Sequence, residues 1–152
     1  MGTYLFKGTS NYASDGVTNA SNSYDGATTY GDKSTYSYAS STSAARAMAV
    51  YGCNNSEVLN LVNSGRKIKT LIFHVIARKH GSSTPSTAKI SARCVHSISG
   101  INTYTDAGDG SLALASSMTT TPTEYTVSFQ SAVNYFNSNP TKFSKICGRF
   151  YG

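Results

Sequence analysis

From Gly8 to Ala44 the chain contains no Leu, Ile, Phe or Met, yet it carries five tyrosines: Tyr12, Tyr24, Tyr30, Tyr36 and Tyr38. This gap constrains the fold more than any other feature, because the aliphatic core must come from residues 45–152. Ser, Thr, Asn and Gly fill the gap. Within it, "SDGVTN" and "YDGATTYGD" carry turn chemistry, glycine supplying positive φ and aspartate bonding nearby backbone. Such a stretch buries too little apolar surface of its own to offset the entropy of ordering it. Tyrosine suits a segment laid on another surface, with a broad apolar ring and a hydroxyl for the wet side. The expectation is an extended polar arm over 1–44, followed by a β-sandwich domain over 45–152. Tyr24, Tyr30, Tyr36 and Tyr38 are its expected assembly contacts, on a neighbouring subunit or a larger particle.

Beyond the arm, apolar residues alternate in short runs separated by turn clusters. In "AARAMAVYG", Ala45, Ala47, Ala49 and Tyr51 alternate with Arg46, Met48 and Val50. Alanine also favours helix there, but the flanking Ser/Thr run and Tyr51-Gly52 favour a strand. "EVLNLV" is read as continuing the strand series, and "NSGRK" as a turn. In "KIKTLIFHVIAR", Leu71, Phe73, Val75 and Ala77 share one face and Ile72, His74, Ile76 and Arg78 the other. Both faces are largely apolar, which predicts a strand that is central or covered on both sides. "AKISARCVHSI" places Ile90, Ala92, Cys94, His96 and Ile98 on one face. "TDAGDGS" reads as a Gly/Asp turn before a short "LALA". "TPTEYTVSFQ" turns Tyr125, Val127 and Phe129 inward, "SAVNYFNSNP" allows one helical turn before Pro140, and "KFSKICGRFYG" closes the chain as a strand. Seven or eight short strands, negligible helix and no repeat predict an all-β protein, an antiparallel β-sandwich of jelly-roll type.

Charge and cysteine usage narrow the function classes. Charged residues are 13% of the chain, about half the usual share, and thirteen Lys and Arg stand against seven Asp and Glu. The cations are scattered except at the two ends of the "LIFHVIA" run, where Arg66, Lys67 and Lys69 precede it and Arg78, Lys79 and His80 follow. That is ordinary strand-end solvation, so no specific nucleic acid is expected. "MGTYLFKG" lacks the form of an export signal, and Phe6 stands where a myristoylation pattern needs Ser or Thr. The longest apolar run is too short to span a bilayer. No membrane partner is expected, and synthesis is expected in a cytoplasm. Cys53, Cys94 and Cys147 are an odd number without paired spacing, which predicts buried thiols and leaves open a crosslink between subunits.

No constellation carries catalytic or cofactor chemistry convincingly. Cys94 and His96 share a strand face, with Cys53 or Cys147 as conceivable companions, but C-x-H within an apolar strand lacks structural-zinc spacing. Cys94 is expected buried, reduced and without metal. Asp106 and Asp109 in "DAGDG" lack the alternating carboxylates of a calcium loop. No G-x-S-x-G is present, His74 and His96 fall mid-strand, and the few carboxylates sit mostly in turns. The reading is a protein that is not an enzyme and needs no cofactor. A carbohydrate-binding sandwich is the rival, with tyrosines in place of the missing Trp.

The order of these features resembles the jelly-roll virion proteins of tailed bacteriophages. Those often open with a polar arm of the form N-a-x-x-x-y-D-G-x-x-x-T, matched by "NASNSYDGATTY" except at its last position, where Tyr30 follows Thr28 and Thr29. A G-x-x-I-x-x-apolar segment feeding a long strand is matched by "SGRKIKTLIFHVIARKHG", a late T-x-Y-T-x-x-F strand by "TPTEYTVSF", and an aromatic final strand by "ICGRFYG". The chain lacks the W-G segment that some relatives carry. The resemblance implies a non-enzymatic structural role in the virion. Its first form is a capsid decoration (cement) protein, a homotrimer contacting itself and the major capsid protein. A neck or tail accessory protein, or a glycan-binding tail module, is the alternative.

Overall fold

A computed structural model describes residues 2–3, 10–15, 17–18, 38–39, 47–51, 56–80, 90–100, 103–145 and 147–151, with side chains over 2–3, 59–80, 90–97, 99–100 and 103–143. Antiparallel strands dominate it. In chain order come β1 (Ser10–Asp15), β2 (Val17–Thr18), β3 (Tyr38–Ala39), β4 (Ala47–Tyr51), α1 (Ser56–Asn63), β5 (Ile72–Ala77), β6 (Ile90–Gly100), β7 (Thr103–Ala115), β8 (Thr123–Ser128), α2 (Gln130–Ser138), a 3-10 helix (Pro140–Lys145) and β9 (Cys147–Tyr151). The all-β expectation is met at this level: β1, β4, β9, β6 and β7 form one five-stranded sheet in that order, while β2 pairs with β3 and β5 with β8.

The final strand lies at the centre of the large sheet. β9 pairs with β4 on one side, Ala49 opposite Arg149, and with β6 on the other, Arg93 opposite the same Arg149. Residues 10–15 of the expected arm form the edge strand beside β4, so this part of the stretch is laid on the domain itself.

Three local readings are corrected. "EVLNLV" is not a strand but part of α1, whose Leu59 and Val62 lie three apart on the face turned to the core. The turn after it is read correctly: the Arg66 amide bonds the Leu61 carbonyl at 3.0 Å and the Gly65 amide bonds that of Val62 at 3.1 Å. Gly65 at φ 89° makes this a Schellman cap. "SAVNYFNS" is likewise longer than one turn, being most of the nine-residue α2. Helix is therefore a real minority component rather than negligible.

"DAGDG" is the third correction. It is not a loop between two strands but an interruption inside the thirteen-residue β7. The ladder jumps from Arg93 opposite Ser111 to Val95 opposite Asp106, so Ala107, Gly108, Asp109 and Gly110 bulge out. Gly108 at φ 115° and Gly110 at φ 65° supply the backbone conformations that bulge needs.

The core is gathered under the helical elements. Ala92 and Cys94 of β6, Ala107 of β7, Val62, Leu71, Phe129, the Ala132, Val133 and Phe136 face of α2, and Phe143 of the 3-10 helix are all buried. Phe129, Phe136 and Phe143 are essentially sealed from solvent, and each such ring contributes roughly 1.5–3 kcal/mol of hydrophobic stabilisation. Phe73 tilts onto Phe129 at 4.7 Å, and Phe136 meets Phe143 edge-on at 5.4 Å.

Candidate functional site

The strand read as central is instead half of a two-stranded sheet among the described residues, and its outer face holds an exposed isoleucine. In β5 the expected alternation holds: Leu71 and Phe73 meet the core while Ile72 and His74 are exposed. Covering on both faces is not what the structure shows, because Ile72 and His74 on the outer face are exposed, and the described lateral partner of β5 is β8 alone. On the outer face Ile72 stands opposite Ser128, His74 opposite Thr126 and Ile76 opposite Glu124. Ile72 is the exposed large hydrophobic among the described residues, at 45%. Next to it His74 Nδ1 and Glu124 Oε1 lie 2.6 Å apart, a hydrogen-bonded pair open to water.

Both ends of this face are basic. Arg66, Lys67 and Lys69 precede β5, and Arg78, Lys79 and His80 follow it; all but Lys79 are exposed. Glu124 is the acidic residue within β8. The result is a mixed strip, Ile72 and Ile76 among His74, Glu124, Thr126 and Ser128, with basic residues at each end.

A second, enclosed cluster surrounds His96. Its side chain is 3% exposed, stacked on Tyr135 of α2 (5.0 Å, 22°) and met by the edge of Phe136 at 6.2 Å. Nδ1 lies 2.9 Å from the Ser97 hydroxyl, and Nε2 is buried without a hydrogen-bond partner. Ser97 adopts φ 51°, the left-handed region that a serine enters at some cost. Burial, and then the positive charge of Lys142 on the 3-10 helix, hold the imidazole pKa below its ordinary value.

The other polar side chains serve as fasteners. Arg93 of β6 bonds Asp106 of β7 at 2.5 Å and lies over the Tyr104 ring. Asp109 reaches from the bulge to the start of α2, and Asn137 near its end bonds both backbone groups of Ile68. Lys67 adds a bond to the Asn137 carbonyl at 2.9 Å.

Of the expected assembly contacts, Tyr24, Tyr30 and Tyr36 lie outside the described residues, and Tyr38 is described only as the β3 backbone opposite Thr18. Cys53 is outside them as well. Cys94 is buried, as expected, at 1%. Among the described residues no group of three His, Cys, Asp or Glu side chains is placed to hold a metal ion, and no helix is long and apolar enough to cross a membrane. The His96 cluster and the Asp109 clasp escaped sequence reasoning, since each joins residues more than twenty positions apart with no motif between them.

Compared with known protein families, curated proteins and solved structures, the chain matches none.

Proposed function

We propose that this chain is a non-enzymatic virion structural protein, a capsid decoration (cement) protein of β-sandwich, jelly-roll type. It stabilises the particle by contacts with copies of itself, as a homotrimer, and with the major capsid protein. It needs no cofactor, and it is made in the host cytoplasm before joining the virion. The observation that carries the reading is the outer face of β5 and β8, where Ile72 is held out to solvent at 45% between two basic strand ends. Protein contact surfaces set apolar side chains within a polar, charged rim, and Ile72 with Ile76 supplies that apolar element here. Tyr24, Tyr30, Tyr36 and Tyr38 are assigned to the same task on the arm, where β-addition to a neighbour's sheet is one geometry for it. The antiparallel all-β fold and the order of arm, strands and aromatic terminus support the reading.

The copy number of this chain in intact particles tests it. Hundreds of copies on the capsid lattice are expected; a dozen or fewer would assign it to the neck or tail, and absence from particles would overturn the virion role. Replacing Ile72 with Asp should lower particle occupancy at unchanged thermal stability. Specific micromolar sugar binding in calorimetry would favour the glycan-binding alternative.

A further inference from the structure

His96 joins three elements, and its bonding is complete on only one side. The imidazole belongs to β6, the ring that stacks on it to α2, and Lys142, whose charge acts on it, to the 3-10 helix. If Nδ1 carries the proton it donates to the Ser97 oxygen and Nε2 is an orphan acceptor; in the other tautomer Nδ1 accepts from the hydroxyl and Nε2–H is an orphan donor. Either neutral form leaves one buried polar atom unpaired, a tolerable cost. The protonated form is far worse, because it adds a net charge to a packed aromatic site.

Nothing described around the ring compensates that charge. On β6, Arg93 is occupied by Asp106 of β7, and the residue opposite His96 on β7 is the uncharged Thr105. Tyr104, also on β7, lies under Arg93. α2 presents the phenol of Tyr135 and carries neither acid nor base. The 3-10 helix contributes Lys142, a like charge; its Lys145 side chain, and those of Cys147 and Arg149 on β9, lie outside the described set. The remaining described carboxylates are held elsewhere, Asp109 on the start of α2 and Glu124 beside His74.

We propose that His96 is an acid-sensitive latch: neutral, it lets α2 and the 3-10 helix close over the large sheet; protonated, it releases them. The inference does not depend on the virion reading. The sign follows from linkage. Well above the ordinary histidine value of about 6.5 the ring is neutral folded or unfolded, and the latch is shut. As pH falls below that value the unfolded or opened ring binds a proton first, so stability declines until the lowered folded value is reached and is constant below it. What opens is an apolar seam, since Phe129 at the N-cap of α2, Phe136 of α2 and Phe143 of the 3-10 helix are all buried.

Hydrogen exchange of the α2 amides, corrected for intrinsic rates and compared at neutral and mildly acidic pH, reads the latch directly. In the wild-type protein, exchange should quicken by about ten-fold for each unit by which the folded pKa is lowered. In His96→Phe, which removes both ring nitrogens but keeps an aromatic partner for Tyr135, it should not change with pH. Equal pH dependence in the two proteins would overturn the proposal, because a group other than His96 would then be responsible. A measurement on the unmodified chain covers the case in which the variant fails to fold: an NMR titration of the His96 ring at or above the ordinary histidine value would also overturn it.

Discussion

The carboxylate of Asp109 accepts hydrogen bonds from the backbone amides of Ser131, at 3.0 Å, and of Ala132, at 2.9 Å. The residue at the N-cap of α2 is Phe129, which has no side-chain acceptor and whose ring is buried in the core. The cap is therefore supplied from 22 residues upstream. Through this clasp the bulge of β7 fixes where α2 begins, with the negative carboxylate at the positive end of the helix dipole.

Replacing Asp109 with Ala should lower unfolding free energy by about 1–2 kcal/mol, the usual cost of losing a charged helix cap. Asn, which retains an acceptor without the charge, should fall between the two. Urea midpoints at neutral pH, with an unchanged denaturant slope, measure this; a midpoint equal to wild type for the alanine variant would contradict it.

Gly108→Ala should be worse than Gly110→Ala. A β-carbon at Gly110 meets nothing within 4 Å and suffers only from φ 65°, while one at Gly108 combines φ 115° with a 3.2 Å approach to Cβ of Ser131. A left-handed non-glycine residue costs about 1–2 kcal/mol, and the tight contact adds to this at Gly108. Thermal melts of the two variants should rank accordingly.

Asn137 holds the other end of α2: its side-chain amide donates to the Ile68 carbonyl at 2.9 Å and its oxygen accepts the Ile68 amide at 2.8 Å. Asn137→Ala should cost about 1–3 kcal/mol, two partly buried bonds being lost. Asn137→Asp should be no milder, because a carboxylate cannot donate and is held against a carbonyl oxygen. Faster exchange of the Ile68 amide is the specific readout.

Two side-chain pairs among the described residues should behave differently in double-mutant cycles. Arg93 and Asp106, with side chains 25% and 31% exposed, should couple by about 1–2 kcal/mol and keep most of that coupling in high salt. His74 and Glu124, at 37% and 44%, should couple by no more than about 0.5 kcal/mol after solvent screening.

How much of this was legible in sequence differs from element to element. The alternation of Phe73, Val75 and Val127 against Ile72, His74 and Thr126 was readable because strand periodicity is local. "NSGRK" was readable as a turn because Gly65 must adopt positive φ wherever the chain goes. "EVLNLV" was misread, since a short apolar run of Val, Leu and Leu satisfies either period and the capping contact that decides for helix lies beyond it. "DAGDG" was misread because the same glycine conformations build a loop or a bulge, and only the β6 ladder on both sides of the interruption selects the bulge.

The sequence by itself determined the β-rich class, the inward faces of β5 and β8 and the burial of Cys94, all properties set by residues within a few positions of each other. Only the tertiary structure decided that β5 has an exposed face, that Asp109 caps α2, and that His96 sits against Tyr135 with one nitrogen unsatisfied. These depend on which strand lies beside which and where a helix starts above them. Such pairings are fixed by the summed burial of the core and by long-range hydrogen bonds, and no local pattern of residues encodes them.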